Sequence, residues 1–386
     1  MSPIRPSVAN LVRSGIARIA VGALDDPEVI PLWFGESDII TPDFIREAAI
    51  GGLRDGETFY SNSRGTQHLR QALARYHQRI YGLDIADERI IVPGSTMLGV
   101  LLSGQCMLER GDEILLIGPY WPNIGSVAAM CGATTREVRL REGPERWWLD
   151  MEEVSASLTS STKAVYVNTP SNPTGWIMST DEQKALLDVC RKRGLGIISD
   201  EVYHRNVFSG RDPAPSFLEL ADENEPVFVV NGFSKGWCMT GWRLGWVIGP
   251  RNLAEPLAVL AECNNTGATV FAQRGGTAAL DHGESFVESF RRRCTVNRQL
   301  VLDIVGSHER VSMLEPEGAF YAFPRIDGVT DSLALARRIL DECKVGVSPG
   351  YTFGERNDSH LRLCFAIETD RLRIALERIR ELFDRL

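Results

Sequence analysis

The alternation of two hydrophobic periodicities constrains the fold of this chain more than any other feature. From about residue 45 to residue 280, segments with helical spacing alternate with short β-branched runs that end in Gly, Pro, Asn or Asp. Parallel strands need long crossover connections, so this alternation is typical of βαβ units. We therefore predict an α/β fold whose large domain has a mostly parallel seven-stranded sheet flanked by helices.

Individual elements follow from local signals. Helices are expected at 96–108, 180–193 and 253–264, and Ser179 with Glu182 resembles the capping start of the second of these. The seven strands are expected at 89–92, 113–117, 135–140, 163–168, 195–199, 227–230 and 244–248.

The remainder of the chain predicts a smaller α+β domain. After Gly276 a polar helical stretch at 284–305 precedes expected strands at 318–323 and 361–365 and expected helices at 332–341 and 371–386. We expect residues 45–280 to form the large domain, and residues 1–44 and 281–386 to form the small one. A ligand would then bind in the crevice beyond the carboxyl ends of the parallel strands.

Composition and charge argue against several functional classes. The formal net charge of -9 offers no basic field for nucleic acid, and no apolar run approaches the length of a bilayer span. The N-terminus lacks the apolar core of a signal peptide, so a cytoplasmic location is expected. Eight cysteines without a C-x-x-C pair indicate buried thiols in a reducing compartment, and six scattered histidines do not predict a metal site.

Lysines are few, and one differs from the rest. Lys163, Lys184, Lys192 and Lys344 lie where a solvated side chain is expected. Lys235 instead follows an apolar strand, where desolvation and cationic neighbours can lower the pKa of its ammonium group.

Arg243 lies eight residues beyond that lysine, and glycines flank it in Thr240-Gly241-Trp242-Arg243-Leu244-Gly245. A lysine and an arginine at this spacing suggest a phosphate site, although an isolated arginine here could equally form an ion pair at a strand edge. The Ser95-Thr96 pair joins another strand to a helix, and free backbone N–H groups there form a weak but natural anion site.

Other strand ends carry polar or aromatic residues that each have an ordinary structural explanation. Asp200, which ends an apolar run, could be a helix N-cap, and Tyr203 could pack in the core. Asn172 lies among turn-forming residues, and Trp121 in Pro119-Tyr120-Trp121-Pro122 could also be core. What they share is an expected position at the same edge of the sheet.

With these motifs in order, the sequence from about Leu32 to Ala366 resembles the class I/II, fold-type I aminotransferases. The family motif S/N-x-x-S/A-K, followed by M-T-G-W-R-L-G, matches residues 231–235 and 239–245. The family often has a phosphate-binding serine three residues before the lysine, where this chain has Gly232.

The resemblance implies pyridoxal 5'-phosphate (PLP) as cofactor and assigns roles around it. Lys235 would form the internal aldimine and Arg243 would bind the phosphate. Asp200 would pair with the pyridine nitrogen, and Tyr203 would donate to the phenolic oxygen. Asn172 would bridge that oxygen and the substrate carboxylate.

The resemblance also implies contacts to the ring, the substrate and a second subunit. Trp121 would stack on the pyridine, with Tyr120 as the second choice. Arg362 would grip the substrate α-carboxylate, and the backbone of Gly35 would pack over the substrate. Tyr60 would reach the phosphate of a neighbouring subunit, which implies a homodimer. Ser95 and Thr96 would complete the phosphate cradle.

The implied reaction is ping-pong transfer of an amino group from an L-amino acid to a 2-oxo acid. A PLP-dependent C–S lyase or other β-eliminating enzyme on the same fold is the alternative, because one electron sink serves both reactions. The substrate stays open. Some aspartate-specific relatives place a lysine where Thr96 stands; Arg13 or Arg18 could substitute, and Trp33 or Trp121 would suit an apolar side chain.

Overall fold

The computed structural model describes Ala9, residues 15–208 and residues 210–386. Its α-helices, in chain order, are Gly15–Ala20, Asp43–Arg54, Gln67–Tyr81, Thr96–Met107, Asn123–Cys131, Met151–Ser157, Thr180–Arg193, Phe233–Gly236, Ala254–Asn265, Val270–His282, Glu284–Val301, Ser332–Cys343 and Thr369–Phe383. Its strands are β1 Ile30–Pro31, β2 Ile90–Ile91, β3 Glu113–Gly118, β4 Thr134–Arg139, β5 Arg141–Glu142, β6 Trp147–Trp148, β7 Thr162–Asn168, β8 Gly196–Asp200, β9 Val227–Gly232, β10 Gly245–Ile248, β11 Val311–Ser312, β12 Tyr321–Ala322, β13 Arg325–Ile326, β14 Val345–Gly346, β15 Ser348–Pro349 and β16 Leu361–Cys364.

A seven-stranded sheet organises the first two thirds of the chain. Its strand order is β2-β10-β9-β8-β7-β3-β4, and every neighbouring pair from β9 to β4 is parallel. Only β10 runs antiparallel to its neighbours, β2 and β9. The predicted mostly parallel sheet is confirmed, and all seven predicted strands lie within two residues of the observed bounds.

Burial along the strands explains why they were recognisable. Strands β3, β8 and β9 are buried along their whole length, as expected when helices cover both faces of a parallel sheet. The edge strand β4 carries Thr134, Thr135, Arg136 and Glu137 exposed, and such polar residues protect an edge from pairing with another chain.

The carboxyl ends of the central strands position the candidate residues. Asn168 ends β7 and Asp200 ends β8, and these two residues pair directly in the sheet register. Strand β9 ends at Gly232, and the short helix Phe233–Gly236 that follows carries Lys235. Three neighbouring strands therefore deliver an amide, a carboxylate and an ammonium group to one edge.

Several helices confirm or correct the local predictions. Ser179 and Glu182 form a reciprocal capping box at the start of Thr180–Arg193, as predicted. The helix expected at 284–305 stops at Val301 and continues as a π-helical turn, Leu302–Gly306. Cys263 is exposed, so the expectation that all cysteines are buried is wrong.

The last third of the chain forms smaller sheets covered by helices. A three-stranded sheet has the order β12-β16-β15, and Glu284–Val301, Ser332–Cys343 and Thr369–Phe383 are among the helices of this part. Strand β1 pairs in parallel with β14, so the N-terminal segment joins the C-terminal part. None of the described helices is long and apolar enough to cross a membrane.

Candidate active site

A cavity of about 340 Å³ lies at the carboxyl ends of β7, β8 and β9. Most residues predicted from the sequence meet there, although they come from distant parts of the chain. Those that line it are Gly35, Thr96, Trp121, Asn172, Asp200, Tyr203, Lys235, Arg243 and Arg362.

Lys235 is a half-buried lysine that faces this cavity. Its Nζ donates a hydrogen bond to the carbonyl oxygen of Gly35, and no carboxylate of the described residues forms a salt bridge with it. Burial lowers the pKa of the lysine to about 8. The neutral, nucleophilic form of this amine is therefore more populated near neutral pH than in an ordinary exposed lysine.

Asp200 is a buried carboxylate with hydrogen bonds but no salt bridge among the described residues. The Tyr166 hydroxyl donates to Oδ2 and the Val202 N–H donates to Oδ1, each at 3.2 Å. Burial raises the pKa of Asp200 to about 6 in spite of these hydrogen bonds. A cation placed against this carboxylate would lower its pKa and satisfy its charge.

Tyr203 and Tyr321 close the floor of the cavity near Gly35. Their hydroxyl oxygens lie 2.6 Å apart, and burial raises the pKa of Tyr203 well above its usual range, which keeps it a neutral donor. A Cβ at position 35 would lie 1.9 Å from the Tyr321 hydroxyl. Only glycine fits there without displacing Tyr321.

Arg362, on β16, is a buried guanidinium held from several sides. Nη1 donates to Oδ1 of Asn172 at 3.1 Å, and Nη2 donates to Oγ of Ser348 at 3.0 Å. The rings of Tyr321 and Phe353 lie 4.6 and 5.1 Å from its Cζ. Its Nε–H is buried without a hydrogen-bond partner, which a bound carboxylate could supply.

Asn168 links these groups to the sheet. Its Oδ1 accepts from the backbone N–H of Asn172 at 2.7 Å, and its Nδ2 donates to the backbone oxygen of Asp200 at 2.8 Å. Because Arg362 occupies Oδ1 of Asn172, the Nδ2 group of Asn172 is left to donate into the cavity. Asn168 thus orients Asn172.

The part of the cavity lined by Arg243 and Thr96 has the features of an anion site. Arg243 adopts a left-handed conformation with φ of 52°, and its Nη1 donates to the Thr240 carbonyl at 2.6 Å. No described carboxylate forms a salt bridge with Arg243. Thr96 begins the helix Thr96–Met107, whose free N–H groups lie at the same end of the cavity.

Comparison with known proteins identifies the family. Residues 27–379 match the family model described as aminotransferase class I and II. The chain belongs to this family.

Relatives that align over nearly the whole chain are named as aminotransferases. A probable aspartate/prephenate aminotransferase of Aquifex aeolicus is 33% identical, and the alignment covers 100% of this chain and 98% of that protein. An arginine–pyruvate transaminase of Pseudomonas aeruginosa is 32% identical, with coverage of 94% and 91%. A solved structure of a mutant aspartate aminotransferase of Thermus thermophilus superposes with a TM-score of 0.90 at 30% identity, covering 99% and 100%. The chain is accordingly an enzyme of the transaminase class.

Two predicted residues of the aminotransferase do not line the cavity. Ser95 caps the helix Thr96–Met107 by accepting a hydrogen bond from the Leu98 N–H at 3.1 Å. Tyr60 is 91% exposed and lies outside the cavity of its own chain. Of the arginines suggested for a distal carboxylate, Arg18 is exposed and does not line the cavity, whereas Arg13 lies outside the described residues.

Sequence reasoning missed several lining residues. Tyr321 and Phe34 come from segments whose sequence gives no local sign that they meet the strand ends. Asn168 could have been found, because it is the last residue of a predicted strand beside Asp200. Trp33, suggested as an apolar contact, instead has its ring packed against Gly346, and Phe34 lines the cavity in its place.

Proposed function

We propose that this aminotransferase uses PLP attached to Lys235 and exchanges an amino group between an L-amino acid and a 2-oxo acid in two half-reactions. The observation that carries the proposal is the pair formed by Lys235 and Asp200. A lysine of lowered pKa and a buried carboxylate face one cavity, and neither forms a salt bridge with any described residue.

The residues on the cavity wall fit PLP group by group. Asp200 would face the ring nitrogen, and its negative charge would keep that nitrogen protonated. Tyr203, a neutral donor, would serve the phenolic oxygen together with Nδ2 of Asn172. Trp121 would lie against the ring. When bound, PLP supplies an electron sink that makes the Cα proton of an amino acid acidic.

The phosphate would lie between Arg243 and the start of the helix Thr96–Met107. Arg243 supplies a guanidinium without a competing carboxylate, and Thr96 supplies a hydroxyl and a backbone N–H. Ser95 would donate its hydroxyl proton there, because its Oγ caps the helix only as an acceptor and keeps that proton.

The substrate would be oriented by Arg362 and Gly35. The unpaired Nε–H of Arg362 favours a carboxylate in this position, and Asn172 would donate a further hydrogen bond to it. Gly35 lets the backbone approach closely above the reacting carbon. In this arrangement the freed Nζ of Lys235 would take the Cα proton and deliver it to the cofactor carbon on the other side of the amino nitrogen.

We also propose the larger organisation predicted from the sequence. Residues 45–280 would form the large domain, with residues 1–44 and 281–386 as the small one, and the enzyme would act in the cytoplasm.

The exposure of Phe59 and Tyr60, 84% and 91%, supports burial of this segment against a second copy in a homodimer, where Tyr60 would meet the neighbour's phosphate. Sedimentation of the purified enzyme as a monomer would contradict the dimer.

Replacement of Lys235 tests the cofactor assignment. In Lys235→Ala, we expect borohydride treatment to fix no cofactor to the chain, and transamination to fall by roughly 10³-fold or more because the nucleophile and base are lost together. Peptide mass spectrometry locates the reduced adduct in the wild-type enzyme, and coupled assays give the rate.

Lys184→Ala is the matched control, because Lys184 is an exposed lysine on the helix Thr180–Arg193. It should retain both the adduct and the rate. An adduct on another lysine, or near-normal turnover by Lys235→Ala, would refute the assignment. The relatives named above are all transaminases, and no observation favours the β-eliminating alternative.

A further inference from the structure

We infer that this enzyme prefers amino donors with uncharged, apolar side chains, such as leucine, methionine or phenylalanine, over aspartate and glutamate. The inference rests on the proposed function, since it takes the carboxylate at Arg362 and the amino group at Lys235 as fixed. It concerns the third substituent of the substrate's Cα, whose surroundings the cavity defines.

Two anchors leave one direction for the side chain. Lys235 Nζ contacts the Gly35 carbonyl, and the Gly35 backbone lies against the Tyr321 hydroxyl. Tyr321 in turn lies 4.6 Å from the Arg362 guanidinium. A substrate held by Lys235 and Arg362 would therefore span Gly35, with its side chain next to the residues that flank that glycine.

The lining beside Gly35 is apolar. Phe34 precedes the glycine in the chain and lines the cavity, as does Ile16 from the helix Gly15–Ala20. This helix packs tightly on the segment that follows β15, because a Cβ at Gly15 would lie 2.5 Å from Oγ1 of Thr352. The next residue, Phe353, flanks Arg362, so Ile16 lies at the carboxylate end of the cavity.

Among the described residues, the cavity lining offers no further cation for a second carboxylate. Its described lining contains three cationic side chains, Lys235, Arg243 and Arg362, and each has a place in the proposed site. Arg18, on the same helix as Ile16, is exposed and does not line the cavity. A distal carboxylate would be desolvated among Ile16 and Phe34 without a partner, which is unfavourable.

The direct test is the donor preference of the holoenzyme. We expect kcat/KM for leucine and phenylalanine to exceed that for aspartate and glutamate by at least about tenfold with one common oxo-acid acceptor, since a single apolar contact discriminates by roughly 10-fold or more. Binding provides a second readout: 4-methylpentanoate should inhibit more strongly than succinate, and both lack the reacting amino group.

A charge introduced at position 16 tests the location. Ile16→Lys should raise kcat/KM for aspartate and lower it for leucine. The ratio of kcat/KM for leucine to that for aspartate should therefore fall, or drop below one. Val21→Lys is the matched control, because it adds the same charge just beyond the same helix at a side chain that is 63% exposed. Its donor ratio should equal that of the wild type. Ile16→Met, an apolar change of similar size, should also keep the preference.

A wild-type preference for aspartate or glutamate would overturn the inference, wherever the required cation came from. So would stronger inhibition by succinate than by 4-methylpentanoate. Neither result would contradict the cofactor assignment, because that assignment is tested separately by the adduct at Lys235. An unaltered donor ratio in a folded Ile16→Lys enzyme would likewise show that the side chain binds elsewhere.

Discussion

At the scale of single residues, Gly232 and Thr96 fill one space between them. A Cβ built on Gly232 would lie 2.2 Å from Oγ1 of Thr96. That hydroxyl donates to the carbonyl of Asn231 at 3.3 Å. The family often carries serine where this chain has Gly232, and here Thr96, at the start of the helix Thr96–Met107, occupies the space that a serine side chain would need.

We expect Gly232→Ser to destabilise the protein by about 1–3 kcal/mol through overpacking. The combination of Gly232→Ser with Thr96→Ala should recover most of that loss, because it removes the clashing hydroxyl. Chemical denaturation of the four proteins of this double-mutant cycle measures the coupling. Gly236→Ser is the control, since a Cβ there meets no atom within 4 Å. If the stability changes caused by Gly232→Ser and Thr96→Ala were additive, the two side chains would not compete for the same space.

The sequence could predict the residues whose chemistry is rare. Lys235 stood out because the chain has few lysines and only this one follows an apolar strand, and Asp200 stood out because it ends another. Tyr321 and Ile16 could not be found in this way. An aromatic or aliphatic residue at such a position is usually core, and only the tertiary packing brings these two to the cavity.

At the scale of elements, the start of the helix Thr180–Arg193 depends on one hydroxyl. Ser179 Oγ accepts from the Glu182 N–H at 3.2 Å, and Glu182 Oε2 accepts from the Ser179 N–H at 2.8 Å. The same carboxylate oxygen lies 3.3 Å from Arg146. The cap therefore also ties the helix to a neighbouring segment.

Ser179→Ala should lower the free energy of unfolding by about 1 kcal/mol, the usual cost of a lost N-cap. Urea denaturation with unchanged cofactor loading measures it. Lys184→Ala, an exposed change on the same helix, should stay within about 0.5 kcal/mol of the wild type. Equal stabilities for Ser179→Ala and Lys184→Ala would show that the capping box contributes nothing.

Helices and strands could be predicted where the burial of their side chains gives the sequence a regular hydrophobic spacing. The strands of the large sheet and the helix Thr180–Arg193 have clear apolar spacing and end at turn-forming or capping residues. Their predicted bounds therefore lie close to the observed ones. Helices such as Asp43–Arg54 and Val270–His282, which pack on each other, were missed as individual elements. The two-residue strands β1 and β14 leave no local pattern, because their pairing depends on the folded chain.

At the scale of the whole molecule, Arg205 joins the loop after β8 to the first helix of the C-terminal part. Its buried guanidinium contacts Asp212 at 3.1 Å and Glu284, the first residue of the helix Glu284–Val301, at 3.1 Å. The hydrogen bond from Arg205 lowers the pKa of Glu284. This network joins the two parts of the chain by charge as well as by packing.

Acidification should weaken that junction. Because the folded-state pKa of Glu284 is lowered, its stabilising effect is present above the ordinary pKa of 4.5 and is lost as the pH falls through the folded value. Glu284→Gln should cost about 1 kcal/mol at pH 7, since the carboxylate is half exposed, and should flatten the acid dependence of stability. Glu309→Gln, an exposed control, should leave the pH profile unchanged. If the stability of Glu284→Gln depended on pH in the same way as that of the wild type, Glu284 would not be the group that weakens the junction on acidification.

The separation along the chain of the residues that meet at the cavity has a consequence for how the enzyme is made. Lys235 and Gly35 are 200 residues apart, and Arg362 and Asn172 are 190 apart. A ribosome adds roughly 5–20 residues per second, so the lysine is synthesised several seconds before the arginine of β16. In that interval the growing chain can fold its large sheet, but its substrate-binding site is still incomplete. Catalysis thus begins only when translation has passed β16, and a truncated product would be inactive.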